Sequence, residues 1–170
     1  MCIRLVFYYL IYLSGFSLLA QNLGEITIYN TSNSDLTYNQ INCLEFSDDS
    51  TLWIGTQNKL NILENSTEWW SVDANEPGSV LGSNIIKSLE WAENASPPTM
   101  FIGTTNGIST AAVNSWNGDY GWSCDPNNGI INTLLYNTDL WAGSTDGLCI
   151  KELGGEDDWL LKNTENGFYS

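Results

Sequence analysis

Histidine is absent from this 170-residue chain, and lysine and arginine together number 5 against 20 aspartates and glutamates. Without an imidazole, Ser-His-Asp and Cys-His nucleophilic catalysis are excluded, and so are zinc sites built on histidine. The shortage of cations leaves a formal net charge of −15. Such a surface repels phosphate backbones and argues against nucleic acid as a partner. Cysteine is scarce too. Cys2 lies in the apolar N-terminal segment, and Cys43, Cys124 and Cys149 remain: an odd count that cannot form a closed disulfide framework, at spacings that suit no metal. Cys43 and Cys149 fall in apolar strand patterns, where a small buried thiol is the plain reading, although a single bridge stays open in an oxidising compartment. No Asp-x-Asp-x-Asp loop is present for calcium. Neither a metal nor a cofactor is expected.

The N-terminus reads as a targeting signal rather than as part of the fold. Arg4 supplies a positive flank, Leu5 to Leu19 is almost unbroken apolar sequence, and Ala20 offers a small residue before the polar chain begins at Gln21. That is the layout of a cleaved signal peptide over residues 1–20, and the apolar run is short for a stable membrane span. Leu18, at the −3 position, is larger than signal peptidases prefer, which leaves an uncleaved anchor as the alternative. No cysteine stands directly after the run, which argues against a lipoprotein. The expected location is exported: periplasmic, cell surface or secreted. Residues 21–170 are the length of one domain. Strong acidity can mark disorder, but 8 tryptophans point to a packed core.

Internal periodicity then sets the architecture. The pattern Ile-x-x-Leu-x-aromatic occurs at Ile41/Leu44/Phe46, Ile86/Leu89/Trp91 and Ile131/Leu134/Tyr136, in steps of 45 residues. Each copy is followed by a second pattern: Leu52-Trp53-Ile54-Gly55-Thr56, Met100-Phe101-Ile102-Gly103-Thr104 and Leu140-Trp141-Ala142-Gly143-Ser144. A turn comes next, at Asn58-Lys59-Leu60, Asn106-Gly107-Ile108 and Asp146-Gly147-Leu148, and a tryptophan-bearing segment closes each unit at Trp69-Trp70, Trp122 and Trp159. Short apolar runs rich in Ile, Leu and aromatics, punctuated by Asn, Asp and Gly, are strands. Asn-Gly and Asp-Gly predict type I′ hairpins, with Lys59 forcing strain or another turn type in the first copy. Gly55, Gly103 and Gly143, each inside a strand, predict close approach of a neighbouring backbone.

These signals predict an all-β chain, a partial β-propeller of three four-stranded blades near residues 41–73, 85–124 and 130–162, plus a leading strand near Glu25–Asn30. The strands run inner to outer near Ile41–Ser47, Thr51–Thr56, Lys59–Glu64 and Thr67–Asp73; then Ile85–Trp91, Thr99–Thr104, Gly107–Val113 and Tyr120–Cys124; then Ile130–Tyr136, Asp139–Ser144, Gly147–Glu152 and Trp159–Lys162. Glu93–Pro98 is an insertion that Pro97-Pro98 keeps as an exposed loop. β-Helical solenoids use shorter rungs, so propeller blades fit the period better.

The Leu52-Trp53-Ile54-Gly55-Thr56 segment with its Asn-Lys-Leu turn, and Leu81-Gly82-Ser83-Asn84-Ile85-Ile86 ahead of the next copy, resemble the repeats of the two-component regulator propeller family. The resemblance spans nearly all of residues 21–170. It rests on Trp53, Gly55, Phe101, Gly103, Gly107, Trp141, Gly143 and Gly147 as structural positions. It implies an extracytoplasmic propeller of the kind that forms the sensor portion of bacterial hybrid histidine kinases, often for polysaccharide-derived ligands. Such repeats also occur in secreted and surface proteins that carry no kinase. Family propellers have more blades than three, and Asn166-Gly167-Phe168-Tyr169 resembles the lead-in at Ser34–Tyr38, as if another blade began there. Remaining blades or self-association are therefore expected partners.

In a propeller, the loops entering the innermost strands share one face with the second-to-third-strand turns. Here these are Tyr38–Gln40, Ser83–Asn84 and Asn127–Gly129, with Gln57–Asn58, Thr105–Asn106 and Thr145–Asp146. Their amides and hydroxyls suit sugar hydroxyls, which makes Tyr38, Asn39, Asn84, Asn106, Asn128 and Asp146 the candidate ligand contacts. Tight turns demand the same residue types. Asp48-Asp49 and Asp157-Asp158 sit at turns, and no motif marks a glycosidase pair. Asp49 before Trp53 only loosely echoes the Asp-box of sialidases. Trp53, Trp91 and Trp141 read as core, and Trp116 and Trp122 as the tryptophans most open to solvent. The leading reading is a non-catalytic ligand-binding or sensing module for a saccharide or protein ligand; the alternatives are a secreted scaffold for protein contacts and a propeller glycosidase.

The N-terminal pattern generates the first test. Mass spectrometry of the exported protein should find a chain beginning at or near Gln21, and recovery of intact Met1 in a membrane fraction would contradict it.

Overall fold

The computed structural model describes residues 26–47, 51–79, 81–112, 129–152 and 159–162, all as strands, turns and loops without a helix. In chain order the strands are β1 (Ile41–Phe46), β2 (Leu52–Thr56), β3 (Leu60–Glu64), β4 (Glu68–Val72), β5 (Ile86–Ala92), β6 (Thr99–Thr104), β7 (Gly107–Ala112), β8 (Ile131–Tyr136), β9 (Asp139–Ser144), β10 (Leu148–Glu152) and β11 (Leu160–Lys162). They form three antiparallel meanders: β1-β2-β3-β4, β5-β6-β7 and β8-β9-β10-β11. The expected fourth strand of the second blade, at 120–124, lies outside the described residues, as does the segment 1–20. β1 lies against β5 and β5 against β8, so the first strand of each blade is innermost. The chain is an open, partial β-propeller.

The core lies between blades, not within them. One cluster joins Trp53, Leu60 and Ile62 of the first blade to Leu81, Ile86, Leu89, Met100 and Ile102 of the second. A second joins Phe101 and Ile108 to Ile131, Leu134, Leu140, Ala142 and Cys149 of the third. Successive residues of β6 therefore bury on opposite sides, Met100 and Ile102 towards one neighbour and Phe101 towards the other. This is why the strand reads as a continuous apolar run and not as an alternation. Leu36, on the segment leading into β1, covers Ile54 and Leu63 on the outer part of the first blade's other face.

The three-residue spacing from Ile to Leu in the innermost strands has a cause. Strict alternation would send Ile86 and Leu89 to opposite faces. The register instead shifts between Ile86 and Ser88, as it does between Ile41 and Cys43 and between Ile131 and Thr133. The extra residue in each strand, at Asn42, Lys87 and Asn132, is a β-bulge that turns both apolar side chains to the same neighbour.

Three expectations are corrected. Residues 26–30 join no ladder, because a strand needs a pairing partner and none of the described strands lies alongside them. The segment is held instead by Asn33 Nδ2 donating to the Ile28 carbonyl at 2.8 Å and by Tyr29 packing edge-on to Trp69. The second-to-third-strand turns are not type I′. Only their last residue has positive φ, at Lys59 (87°), Gly107 (80°) and Gly147 (141°). A type I′ turn would need positive φ at both central residues. Lys59 holds a conformation that favours glycine, and the paired positive φ of a type I′ turn occurs instead at Asn65 (51°) and Ser66 (62°), between β3 and β4.

The third correction concerns Gly55 and Gly103. A Cβ on Gly55 would stand 2.7 Å from Ile86 Cγ2, and one on Gly103 would stand 2.8 Å from Ile131 Cγ2. What approaches each glycine is therefore the isoleucine side chain of the next blade, not a backbone. The blade's own innermost strand closes the other side, through Cys43 and Ser88 respectively. Burial of this kind pushes the Cys43 thiol up to about 11.

Filling one of these seats must move a strand already packed on both faces. Gly103→Val should destabilise the protein by about 1–3 kcal/mol through overpacking, and an unchanged denaturant midpoint would show the seat to be slack.

Candidate functional site

Entry loops and hairpin turns converge at one end of the sheets. Within the second and third blades, Thr105 N donates to the Ile85 carbonyl at 3.2 Å and Thr145 N to the Ile130 carbonyl at 3.0 Å. Between blades, Lys59 N donates to the Asn84 carbonyl at 2.8 Å and Gly107 N to the Gly129 carbonyl at 3.1 Å. The hydroxyls of Ser83 and Thr105 meet at 2.7 Å, and Thr37 Oγ1 donates to the Asn58 carbonyl at 2.9 Å. The loops thus form a continuous rim.

A hydroxyl residue organises each turn of that rim. Thr56, Thr104 and Ser144 donate to the carbonyls of Lys59, Gly107 and Gly147 at 2.8, 3.0 and 3.0 Å. The same oxygens accept from the backbone N–H groups of Asn58, Asn106 and Asp146 at 2.9, 3.0 and 3.1 Å. One side chain thereby closes both ends of the turn. The sequence carried a signal for it: a hydroxyl residue follows the strand glycine in all three copies. A second device fixes the entry loops, where Thr37 N donates to Asn61 Oδ1 and Gly82 N to Ser109 Oγ, both at 2.9 Å.

The candidate contact residues divide by what already holds them. Asn84 is committed to the joint between the first and second blades. Its amide donates to Asp73 Oδ1 at 2.8 Å, and its Oδ1 accepts from Ala74 N at 2.7 Å. Asp73 also accepts from Asn75 N and pairs with Lys59 Nζ at 3.1 Å. The Asn84 amide first, then the Asn75 N–H and Lys59, hold the Asp73 carboxyl far below the usual carboxylate range. Asn106 is exposed, with its amide donating to the Gly82 carbonyl at 3.0 Å. Asn39 is exposed and accepts from Thr31 N at 2.9 Å. Tyr38 and Asp146 are exposed, and Asp146 lies against Gly129. Asn128 lies outside the described residues. So do Trp116, Trp122, Asp48-Asp49 and Asp157-Asp158.

Among the tryptophans, Trp53 is buried and Trp91 packs on the same cluster, while Trp141 is half-buried. Trp70, which the sequence did not single out, is 57% exposed on β4. It borders an open groove of about 420 Å³ lined also by Glu64, Asp73 and Glu76. Along the innermost strands, burial and the neighbouring Glu90 push the Glu45 carboxyl upward. Among the described residues no group of three or more Cys, Asp or Glu is placed to hold a metal ion, and no helix is long and apolar enough to cross a membrane.

No family model matches the sequence. Nor does the chain match any curated protein. Solved structures do match. One structure of the extracellular domain of BT4673 from B. thetaiotaomicron, described as a one-component system, aligns with a TM-score of 0.58 at 20% identity, covering 75% of this chain and 16% of that one. Another structure of that domain, described as a hybrid two-component system, gives 0.66 at 17% identity over 84% and 19%. The extracellular domain of the hybrid two-component system BT3049 from the same organism gives 0.65 at 14% identity over 86% and 19%. The chain thus spans less than a fifth of each domain's length. The three-blade arrangement read from the internal repeat shares its fold with part of these extracellular domains, in agreement with the two-component regulator propeller resemblance.

Proposed function

We propose that the chain is an exported, non-catalytic sensing module whose loop rim binds an extracytoplasmic ligand, with saccharides the favoured class. The observation that carries this reading is the rim itself. Entry loops and hydroxyl-closed turns converge on one edge and leave Tyr38, Asn39, Asn106 and Asp146 facing solvent. Amide, phenol and carboxylate groups on a rigid frame suit the many hydroxyls of a sugar, and a frame fixed before binding lowers the ordering cost. The fold shared with extracellular domains of two-component systems supports a sensing role. The absence of histidine from the sequence and of any nucleophile motif supports binding without turnover.

Calorimetry against a panel of neutral and cationic glycans tests the proposal, since the net charge opposes anionic ones. Saturable binding should weaken about three- to tenfold in Asn106→Ala and in Asp146→Ala, the loss of one hydrogen bond each. Asn84→Ala should instead lower thermal stability, because that side chain is spent on the joint. Product release from any glycan would overturn the non-catalytic reading, and binding indifferent to both rim substitutions would place the ligand elsewhere.

A further inference from the structure

The same repeat positions are buried in the second and third blades and open in the first. Ile86 and Ile131 are 0% exposed and Leu89 and Leu134 are 6%, yet Ile41 is 40% and Leu44 58% exposed. At the other end of the molecule, Gly143 occupies the position of Gly55 and Gly103. Among the described residues its Cβ direction meets only Thr133 of its own blade, with no isoleucine above it. One flank thus presents a knob without a seat and the other a seat without a knob.

The rest of the joint matches in the same register. Between the second and third blades, Leu134 N donates to Ser88 Oγ at 2.9 Å. In the first blade the counterpart of Leu134 is Leu44, and in the third the counterpart of Ser88 is Thr133, which again offers a hydroxyl. Tyr136 lies 6.5 Å from Phe101, ring to ring. The corresponding residues on the open flanks are Phe46 and Trp141. Position 90, whose carboxylate accepts from Tyr136 N at 2.8 Å, is Leu135 in the third blade. Leu135 and Phe46 are both 61% exposed, so an apolar pair stands where the internal joint has a polar contact. Apart from that polar contact, the elements of the joint are present, divided between the two ends of one chain.

We propose that these flanks are two halves of one interface, completed by a second copy of the chain docked head to tail, with Ile41 of one copy over Gly143 of the other. The contact is heterologous, so it closes only if the rotations sum to a ring. Two copies supply six blades, within the four to eight over which propellers close.

The test is a charge swap at positions already exposed, where the fold is not at stake. Sedimentation of the secreted chain should show a dimer. Leu135→Arg and Phe46→Glu should each weaken dimerisation about tenfold or more. Mixed one to one they should restore it, because one joint then pairs Arg with Glu and the other keeps Leu with Phe. Native mass spectrometry should find the mixed dimer in excess over either variant's own. A parent chain that stays monomeric at all concentrations, its flanks bare or covered by further blades of a longer chain, would overturn the proposal. So would a dimer that both variants leave intact, or a mixture that does not recover.

Discussion

The fold depends on one steric fit: the isoleucine of the second and of the third innermost strand rests on a position of the preceding blade that carries no side chain. Ile86 on Gly55 and Ile131 on Gly103 set how closely adjacent sheets approach. Everything between them then packs at that spacing, from Trp53 and Met100 in one cluster to Phe101 and Leu140 in the other. The bulges at Asn42, Lys87 and Asn132 serve the same fit, since without the register shift the isoleucine and the leucine three residues on could not both face it. Both joints are apolar at their centres; between the second and third blades Leu134 N also donates to the buried Ser88 Oγ, and at the edge of the first joint Asn84, Asp73 and Lys59 lock the rim.

Much of this was legible in the sequence, and the reasons are specific. Three copies of four features at a fixed offset identify blades even where each feature alone is weak, and the strand limits follow to within a residue or two. The spacing of Ile41 to Leu44 also carried the bulge, although a three-residue interval in a strand is easily mistaken for loose alternation. The turns were harder. Asn-Gly and Asp-Gly suit several hairpin classes, and the choice here is made by hydroxyls of Thr56, Thr104 and Ser144 that lie outside the two-residue motif. That residues 26–30 form no strand was not recoverable, because pairing depends on what lies alongside and not on the five residues themselves.

The candidate site was legible as a location but not as a list of free groups. Composition places amides on the rim; only the structure separates those that hold the rim together from those that face outward. Asn84 and Asn106 occupy related loops and have the same side chain, yet one bridges two blades and the other projects from a turn. Nothing in a local sequence window distinguishes an amide bonded to the preceding blade from one bonded within its own.

Because the two larger apolar clusters each belong to two blades at once, the blades share most of their core. The molecule behaves as a short one-dimensional array in which stability resides in the couplings and not in the units. Opening the first or third blade breaks one coupling; opening the second breaks both. The middle blade is therefore the natural nucleus of folding and the last region whose amides can exchange with solvent. The hairpins within each blade are local and quick to form, but they persist only once a neighbour arrives to share their apolar face.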